Sequence, residues 1–385
     1  RDSLKLPPEQ PRGFVMKIEV PENIRDITPY PPGKPIEELE REYGISGSIK
    51  LASNENPFGP SPVAVKAMQD SLNNLHRYPD GSCYYLNRAL ADQLGVDPEQ
   101  LVFGNGSNEV IEFLVKAFVK EGDEVITSHP SFLMYQKFVQ IRGGRNHVVE
   151  LRDMHHDLER IASLVSPKTR LIFIDNPNNP TGNLLSRARL LDFLTGLPDH
   201  VIVALDEAYI DFVDQDHHYD TLALIEEQQD RCGVVLLRTF SKAYGLAGLR
   251  IGFGIMAAPV ADCLQKVRQP FNINLIAQQG ALAALGDHDF YRYTLSKTAA
   301  GKRFLMEGVE KLGCTPLASQ TNFFLIDVHT DATILYEAML RKGVIIRSMK
   351  AYGFETYIRV NVGTDEENQR FLAALGEALE ECGHG

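Results

Sequence analysis

The sequence predicts an α/β fold, with a mostly parallel central sheet flanked by helices and a smaller α+β domain after it. Three observations predict this. From residue 101 to residue 237, short apolar β-rich runs alternate with segments of helical period, the pattern of βα units that build a parallel sheet. The unusual polar clusters fall at the carboxyl ends of those runs, where open α/β sheets bind ligands. After Gly252 the alternation stops, and longer helices with separate strand-like runs follow.

Taken in order, Tyr30-Pro31-Pro32-Gly33-Lys34-Pro35 is too proline-rich for anything but extended or turn geometry. Residues 36–43 have helical charge spacing. Residues 62–75 form an amphipathic pattern with Val63, Val65 and Met68 among the apolar positions, and 84–94 form another, stopped by Gly95. Strands are expected at 101–103, 124–127, 146–151, 170–175, 201–205 and 234–237, with helices at 110–118, 133–141, 158–165 and 187–195 between them. Beyond Gly252, helices are expected at 257–267, 275–285, 289–312, 332–342 and 366–381, and strands at 323–326, 344–347 and 357–362. The expected organisation is a flexible leader at 1–15, an N-terminal segment at 16–60 packing with the small domain, a large cofactor-binding domain at 61–290 and a small domain at 291–385. Met16 is a plausible native start within this scheme.

Composition narrows the function classes. Of 385 residues, 44% are hydrophobic and 23% charged, as expected of a soluble globular chain with a sizeable core. A net charge of −12 argues against a nucleic-acid or anionic-membrane partner held by bulk charge. The five cysteines form no CxxC pair and are odd in number, which fits a reducing compartment and neither a disulfide framework nor a zinc site. No basic-then-apolar signal pattern opens the sequence, so a cytoplasmic protein is expected.

The chemistry centres on Thr239-Phe240-Ser241-Lys242-Ala243-Tyr244-Gly245 and the Gly248-Leu249-Arg250-Ile251-Gly252 that follows. A lysine at the end of a buried strand is costly unless its charge or its amine is used. Two hydroxyls and a guanidinium around it suit a phosphate, and an amine beside a phosphate site suggests a phosphorylated aldehyde, pyridoxal 5′-phosphate. The plain alternative is a strand-end lysine reaching solvent beside a glycine-rich turn.

These residues do not stand alone. Asn178-Asn179-Pro180-Thr181-Gly182, Asp206-Glu207-Ala208-Tyr209, Ser241-Lys242 and Gly248-Leu249-Arg250-Ile251-Gly252, in this order, resemble the class I and II aminotransferases of fold type I, from about Met16 to the end of the sequence. Asn54-Glu55-Asn56-Pro57, Arg77-Tyr78-Pro79, Gly104-Asn105-Gly106-Ser107 and the proline-rich Tyr30 segment resemble the histidinol-phosphate branch of that family. The resemblance implies pyridoxal 5′-phosphate as cofactor and transamination of histidinol phosphate with 2-oxoglutarate. It makes Lys242 the residue that binds the cofactor aldehyde and later moves a proton, with Asp206 opposite the pyridine nitrogen. Asn179 and Tyr209 would bond the phenolic oxygen, and Phe132, where relatives often carry tyrosine, would stack on the ring. Ser107, Asn108, Ser241 and Arg250, with Thr239 a lesser candidate, would hold the phosphate at a helix N-terminus. Arg359 would receive the substrate carboxylate and Arg347 the substrate phosphate. Tyr30 would close over the substrate, and Asn54 would help bind it. Tyr78 would reach the partner's cofactor phosphate in a homodimer.

Plainer readings compete. Asp206 could be a helix cap, Asn179 a turn residue, Phe132 core, and Arg347 or Arg359 a surface ion pair. Asp214, Asp216, His217, His218, His155 and His156 read as polar loops, because neighbouring histidines diverge and HExxH is absent. A Ser-x-x-Lys acyl-transferase would need serine where Thr239 stands. Within the same fold, an aromatic amino-acid aminotransferase and a phospho-amino-acid decarboxylase remain alternatives, because sequence does not set which Cα bond is aligned with the ring.

Overall fold

The computed structural model describes residues 19–29, 33–228 and 231–383. Its strands are β1 (Ile49–Lys50), β2 (Leu101–Gly104), β3 (Glu124–His129), β4 (Arg145–Glu150), β5 (Thr169–Asp175), β6 (Ile202–Asp206) and β7 (Gly233–Thr239). They continue with β8 (Gly252–Met256), β9 (Thr315–Pro316), β10 (Phe323–Asp327), β11 (Val344–Ile345), β12 (Arg347–Ser348) and β13 (Tyr357–Asn361). Seven of them form one sheet in the order β2-β8-β7-β6-β5-β3-β4. Strand β8 runs antiparallel to both neighbours, and the other pairs are parallel. This is the mostly parallel sheet that the alternation predicted, since a parallel pair needs a crossover helix and these runs have one between them.

Two apolar layers hold the sheet. Val102, Val125, Leu171, Phe173, Val235 and Leu237 face helix Ser107–Phe118 and its neighbours, while Ile126, Ile172, Val203, Leu205, Leu236 and Phe253 face the opposite layer. Strands β5, β6 and β7 are thus apolar on both sides and read as continuous hydrophobic runs. Strand β8 escaped the sequence reading. Its Gly252-Phe253-Gly254-Ile255-Met256 has two glycines, which depress strand propensity, yet Gly254 is needed where Val110 and Met256 crowd the backbone.

A second, four-stranded antiparallel sheet has the order β12-β13-β10-β9. Its core joins Phe324, Ile326, Ile358 and Val360 to Phe371 and Leu375 of helix Asp365–Glu381 and to Leu305 and Val309 of helix His288–Lys311. The single strand expected at 344–347 is instead split: β11 pairs in parallel with β1, and β12 pairs with β13. Ile346 is the hinge residue, buried between two ladders that a continuous apolar run cannot distinguish. Leu39 and Ala52 pack with Leu340 and Ile345, while Glu22–Arg25 lies against helix Met134–Arg142, where the Asn23 amide donates to the Gln140 and Ile141 carbonyls. Among the described residues, no helix is long and apolar enough to cross a membrane.

The loop after β5 touches the second unit closely. Gly182 has φ +78°, and a Cβ there would lie 2.2 Å from Ser319 Oγ. The main-chain nitrogen of Gln320 donates to the Gly182 oxygen at 2.8 Å. Gly182→Ala is therefore expected to cost roughly 2–4 kcal/mol, from left-handed strain plus overpacking, read as a lower urea midpoint. A midpoint equal to wild type would mean that this contact is slack.

Candidate active site

Strands β5, β6 and β7 end side by side, and each delivers a polar group to the same place. Asp206 closes β6, with its Cα opposite Leu237 of β7 and Asp175 of β5. Lys242 follows β7 after Thr239 and Ser241. Helix Ser107–Phe118 points its N-terminus at the same edge. The space between is a cavity of about 410 Å³, lined among others by Ser107, Asn108, Phe132, Asn179, Asp206, Tyr209, Thr239, Ser241, Lys242 and Arg250. All ten of these were named from sequence, and the fold brings them together.

The two charged groups are set in poorly hydrated positions. Asp206 is buried; its Oδ2 accepts from the Tyr135 hydroxyl at 2.7 Å and its Oδ1 from the Ala208 main-chain nitrogen at 3.1 Å. Burial pushes its pKa up to about 7, and the neighbouring Asp175 charge adds to the rise against the lowering effect of the Tyr135 bond. Lys242 Nζ donates to the main-chain oxygens of Ser53 at 3.2 Å and Asn54 at 3.1 Å. Burial, followed by the Arg359 charge, lowers its pKa to about 8, so a useful fraction of the amine is free base near neutral pH. Tyr209 is buried with its hydroxyl accepting from Asn54 Nδ2 at 3.0 Å, and burial raises its pKa to about 12.

The opposite end of the cavity is a cup of donors. Gly106 caps the helix that begins at Ser107, so the helix's first main-chain N–H groups open onto the cavity. Arg250 adopts φ +59°, with Nη1 on the Ala247 oxygen and Nη2 toward the Asn105 oxygen. Gly252 lets β8 pass beneath: a Cβ there would stand 2.3 Å from the Ser107 nitrogen. Asn108 Oδ1 is buried with no hydrogen-bond partner among the described residues. Helix N–H groups, two hydroxyls and a guanidinium fit a phosphate monoester; a buried carboxylate at the far end fits a cationic ring nitrogen, and the lysine amine between them fits an aldehyde. The residues present therefore fit pyridoxal 5′-phosphate.

Other sequence-selected residues lie around this core. The Asn54 side chain donates to the Tyr209 hydroxyl, and its main-chain nitrogen donates to Asn361 Oδ1 at 3.0 Å. Arg359, on β13, donates from Nη1 to Asn179 Oδ1 and from Nη2 to the Ala52 oxygen. Arg347, on β12, is the Cα partner of Arg359, and its charge faces Tyr336 beside Lys34. Tyr78 is 84% exposed, stacked on Phe271, and does not line this chain's cavity. Tyr30 lies outside the described residues.

The sequence reading missed two residues. Tyr135 holds Asp206, and its ring lies parallel to Phe173 with centroids 4.8 Å apart. Asp175 lines the cavity and accepts the Asn179 main-chain nitrogen at 2.8 Å. A tyrosine in a helix and an aspartate ending a strand carry no pattern of their own; only strand pairing could have pointed to Asp175. The reading of His156 as part of a polar loop is corrected: it is buried, with Nε2 3.0 Å from the Asp175 main-chain oxygen.

Comparison with known proteins gives a consistent picture. The family model of aminotransferase class I and II matches residues 46–375. The chain is 63% identical over 371 residues to the histidinol-phosphate aminotransferase of Desulfotalea psychrophila (strain LSv54 / DSM 12343), covering 96% of this chain and 98% of that one. It is 44% identical to the histidinol-phosphate aminotransferase of Moorella thermoacetica (strain ATCC 39073 / JCM 9320), covering 96% and 95%. The crystal structure of histidinol-phosphate aminotransferase from Sinorhizobium meliloti in complex with pyridoxal-5′-phosphate aligns with a TM-score of 0.85 at 29% identity, over 94% of this chain and 97% of that one.

The raised Asp206 pKa makes cofactor-free stability depend on pH. Its folded value, about 7, lies above the ordinary 3.8, so its contribution is complete below the ordinary value and is lost as pH rises through about 7. Lys242, lowered to about 8, acts in a different window, losing its contribution as pH falls from 10.5 through that value. Cofactor-free Asp206→Asn should therefore lose less Tm than wild type between pH of about 4 and about 7. Parallel Tm curves would show that Asp206 titrates as an ordinary carboxylate.

Proposed function

The chain belongs to the class I and II aminotransferases, and from that premise we propose that it transfers the amino group of histidinol phosphate to 2-oxoglutarate, giving imidazole-acetol phosphate and glutamate in histidine biosynthesis. The observation that carries this reading is the cavity that Lys242 and Asp206 share with a cup of phosphate-suited donors, with Arg359 bonded to the Asn179 of its wall and Arg347 paired with Arg359 on the next strand. The 63% identity to the Desulfotalea psychrophila enzyme supports the choice of amino donor.

Pyridoxal 5′-phosphate, when bound, supplies a ring that takes up the electrons left as the Cα proton departs. Each residue has a task set by its position. Lys242 would anchor the cofactor aldehyde, and burial, which lowers its pKa, favours the free amine that would take the proton from the substrate Cα. Asp206 holds the proton on the ring nitrogen, and the Tyr135 hydroxyl keeps that carboxylate aimed inward. Tyr209 and Asn179 would bond the phenolic oxygen, and Phe132, with Tyr135 edge-on to it, would support the ring. Ser107, Asn108, Thr239, Ser241 and Arg250, which line the cavity together, would hold the phosphate. Arg359 receives the carboxylate of glutamate or 2-oxoglutarate as a fork, Arg347 receives the donor's phosphate, and Asn54 and Tyr30 border the substrate.

The working form in this reading is a cytoplasmic homodimer. Tyr78 and Tyr85 are 84% and 72% exposed, and Leu72, Leu75, Tyr84 and Phe271 in the same region are also exposed, which supports an apolar surface covered by a second copy. Tyr78 would then reach the partner's phosphate cup. The five free cysteines support a reducing compartment. The domain limits at residues 60 and 290 belong to the same reading, with the second falling at the start of helix His288–Lys311.

Borohydride should fix the cofactor to wild-type protein and leave none on Lys242→Ala, as read by intact mass. The kcat/KM for histidinol phosphate should exceed that for phenylalanine by on the order of 10³, because a phosphate-binding pocket left empty forfeits charge-assisted bonds. Comparable values would remove the phosphate argument and favour an aromatic donor.

Mixing Lys242→Ala with Tyr78→Phe subunits tests the dimer. Random reassembly gives hybrids with one complete site, so about a quarter of wild-type activity should appear in an equimolar mixture. Activity equal to the mean of the two separate variants would place Tyr78 in its own subunit's site.

A further inference from the structure

Behind the cavity lies a buried chain of side chains to which the transamination steps assign nothing. Ser128 Oγ and His156 Nδ1 are 2.7 Å apart. His156 Nε2 lies 3.0 Å from the main-chain oxygen of Asp175 and 3.3 Å from its Oδ1. Both are acceptors, so Nε2 carries the proton and Nδ1 accepts from the Ser128 hydroxyl. The Asp175 carboxylate is otherwise filled: Oδ1 accepts from Ser131 Oγ at 2.7 Å and Asn178 Nδ2 at 3.1 Å, and Oδ2 from the Asn179 main-chain nitrogen at 2.8 Å. Asn179 Oδ1 in turn accepts from Arg359 Nη1.

The residue types are those of a hydrolytic triad, but the geometry is not. Ser128 is 1% exposed and its hydroxyl is committed to the ring, so no substrate reaches it. What the chain does have is continuity toward the substrate-binding arginine. The turn Asn178-Asn179-Pro180-Thr181 sets its own shape through Thr181, whose N–H and hydroxyl both donate to Asn178 Oδ1. It does not set its own height above β5. That is set by the Asp175 carboxylate, which Ser131 and Asn178 hold and His156 backs, with Nε2 on the Asp175 main-chain oxygen and 3.3 Å from Oδ1. With the Asn179 oxygen on Arg359, its amide nitrogen is the end left to donate elsewhere.

We propose that His156 and Asp175 are positioning residues: the Ser128–His156–Asp175 chain fixes the Asn179 loop and, through the Asn179 amide oxygen, the Arg359 guanidinium that receives a substrate carboxylate. This deepens the transaminase reading and rests on it. A forked guanidinium–carboxylate pair tolerates little displacement, so slack introduced at His156 reaches the substrate as weaker binding with the chemical step nearly intact.

The test uses holoenzymes of wild type, His156→Phe, His156→Gln and Ser128→Ala. It measures the Kd of glutarate, an unreactive dicarboxylate, by calorimetry, together with kcat and KM for 2-oxoglutarate. His156→Phe should weaken glutarate and raise KM about tenfold with kcat within about twofold, and His156→Gln, whose amide still donates to Asp175, should stay within about threefold of wild type. Unchanged glutarate binding in His156→Phe, or equal loss in both His156 variants, overturns the proposal. If His156→Phe does not fold, Ser128→Ala decides: an approximately threefold weakening supports the proposal and wild-type affinity overturns it. A wild-type protein inactive on histidinol phosphate but still showing His156-dependent glutarate binding would fail the functional reading alone.

Discussion

A carboxylate and an amine share one cavity without bonding to each other, and the rest of the molecule is arranged around that separation. Two such groups left within reach in a poorly hydrated space would pair and be spent on one another. Here Asp206 is turned toward Tyr135 and the Ala208 main chain, and Lys242 toward the Ser53 and Asn54 carbonyls. The parallel register makes this possible. Asp206 ends β6 opposite Leu237, whereas Lys242 comes five residues further along the neighbouring chain, past Thr239 and Ser241. The offset leaves room for a flat ring between them. The pKa shifts follow: burial raises Asp206 to about 7 and lowers Lys242 to about 8, which brings both groups close to the pH at which they exchange protons.

The cup of donors depends on a second constraint, close approach of backbones. Helix Ser107–Phe118 can present its N–H groups to the cavity only because β8 runs directly beneath its first turn, and Gly252 is the residue at that crossing. Strand β8 is also the antiparallel member of the sheet, turned back at Arg250 after the lysine loop. One reversal of direction thus brings the arginine to the cup, closes the lysine loop and places β2, which leads into the helix, at the sheet edge. The glycine-rich stretch after Lys242 is best understood as this reversal, and its flexibility in isolation is beside the point.

Much of this was legible in the sequence, for identifiable reasons. The parallel strands were visible because burial on both faces forces continuous apolar runs, and ten cavity residues were visible because the polar clusters at the strand ends carry a resemblance to an aminotransferase site. What escaped was set by tertiary pairing. Strand β8 was hidden by its glycines, and the break between β11 and β12 by an apolar run that gives no sign of changing ladders at Ile346. Tyr135 and Asp175 were hidden because their importance lies in the neighbour they touch, Asp206 in one case and the Asn179 loop in the other. His156 looked polar because its neighbour His155 is; only the fold shows that one ring goes inside.

The site is also where the two units of the chain meet, and this governs what closure can mean here. Arg359 comes from the small sheet but bonds Asn179 from the large one and the Ala52 carbonyl from the N-terminal segment. The Asn54 carbonyl receives both Lys242 and Asn322. Gly182 is pressed against Ser319, which with Thr321 offers the carbonyls that hold the buried Lys302 amine. These contacts tie Arg359 to the Asn179 loop by a direct bond, so movement of the small unit relative to the sheet shifts Arg359 and the Asn179 amide together. Arg359 is therefore joined by geometry to an asparagine whose main-chain nitrogen is held from behind by Asp175.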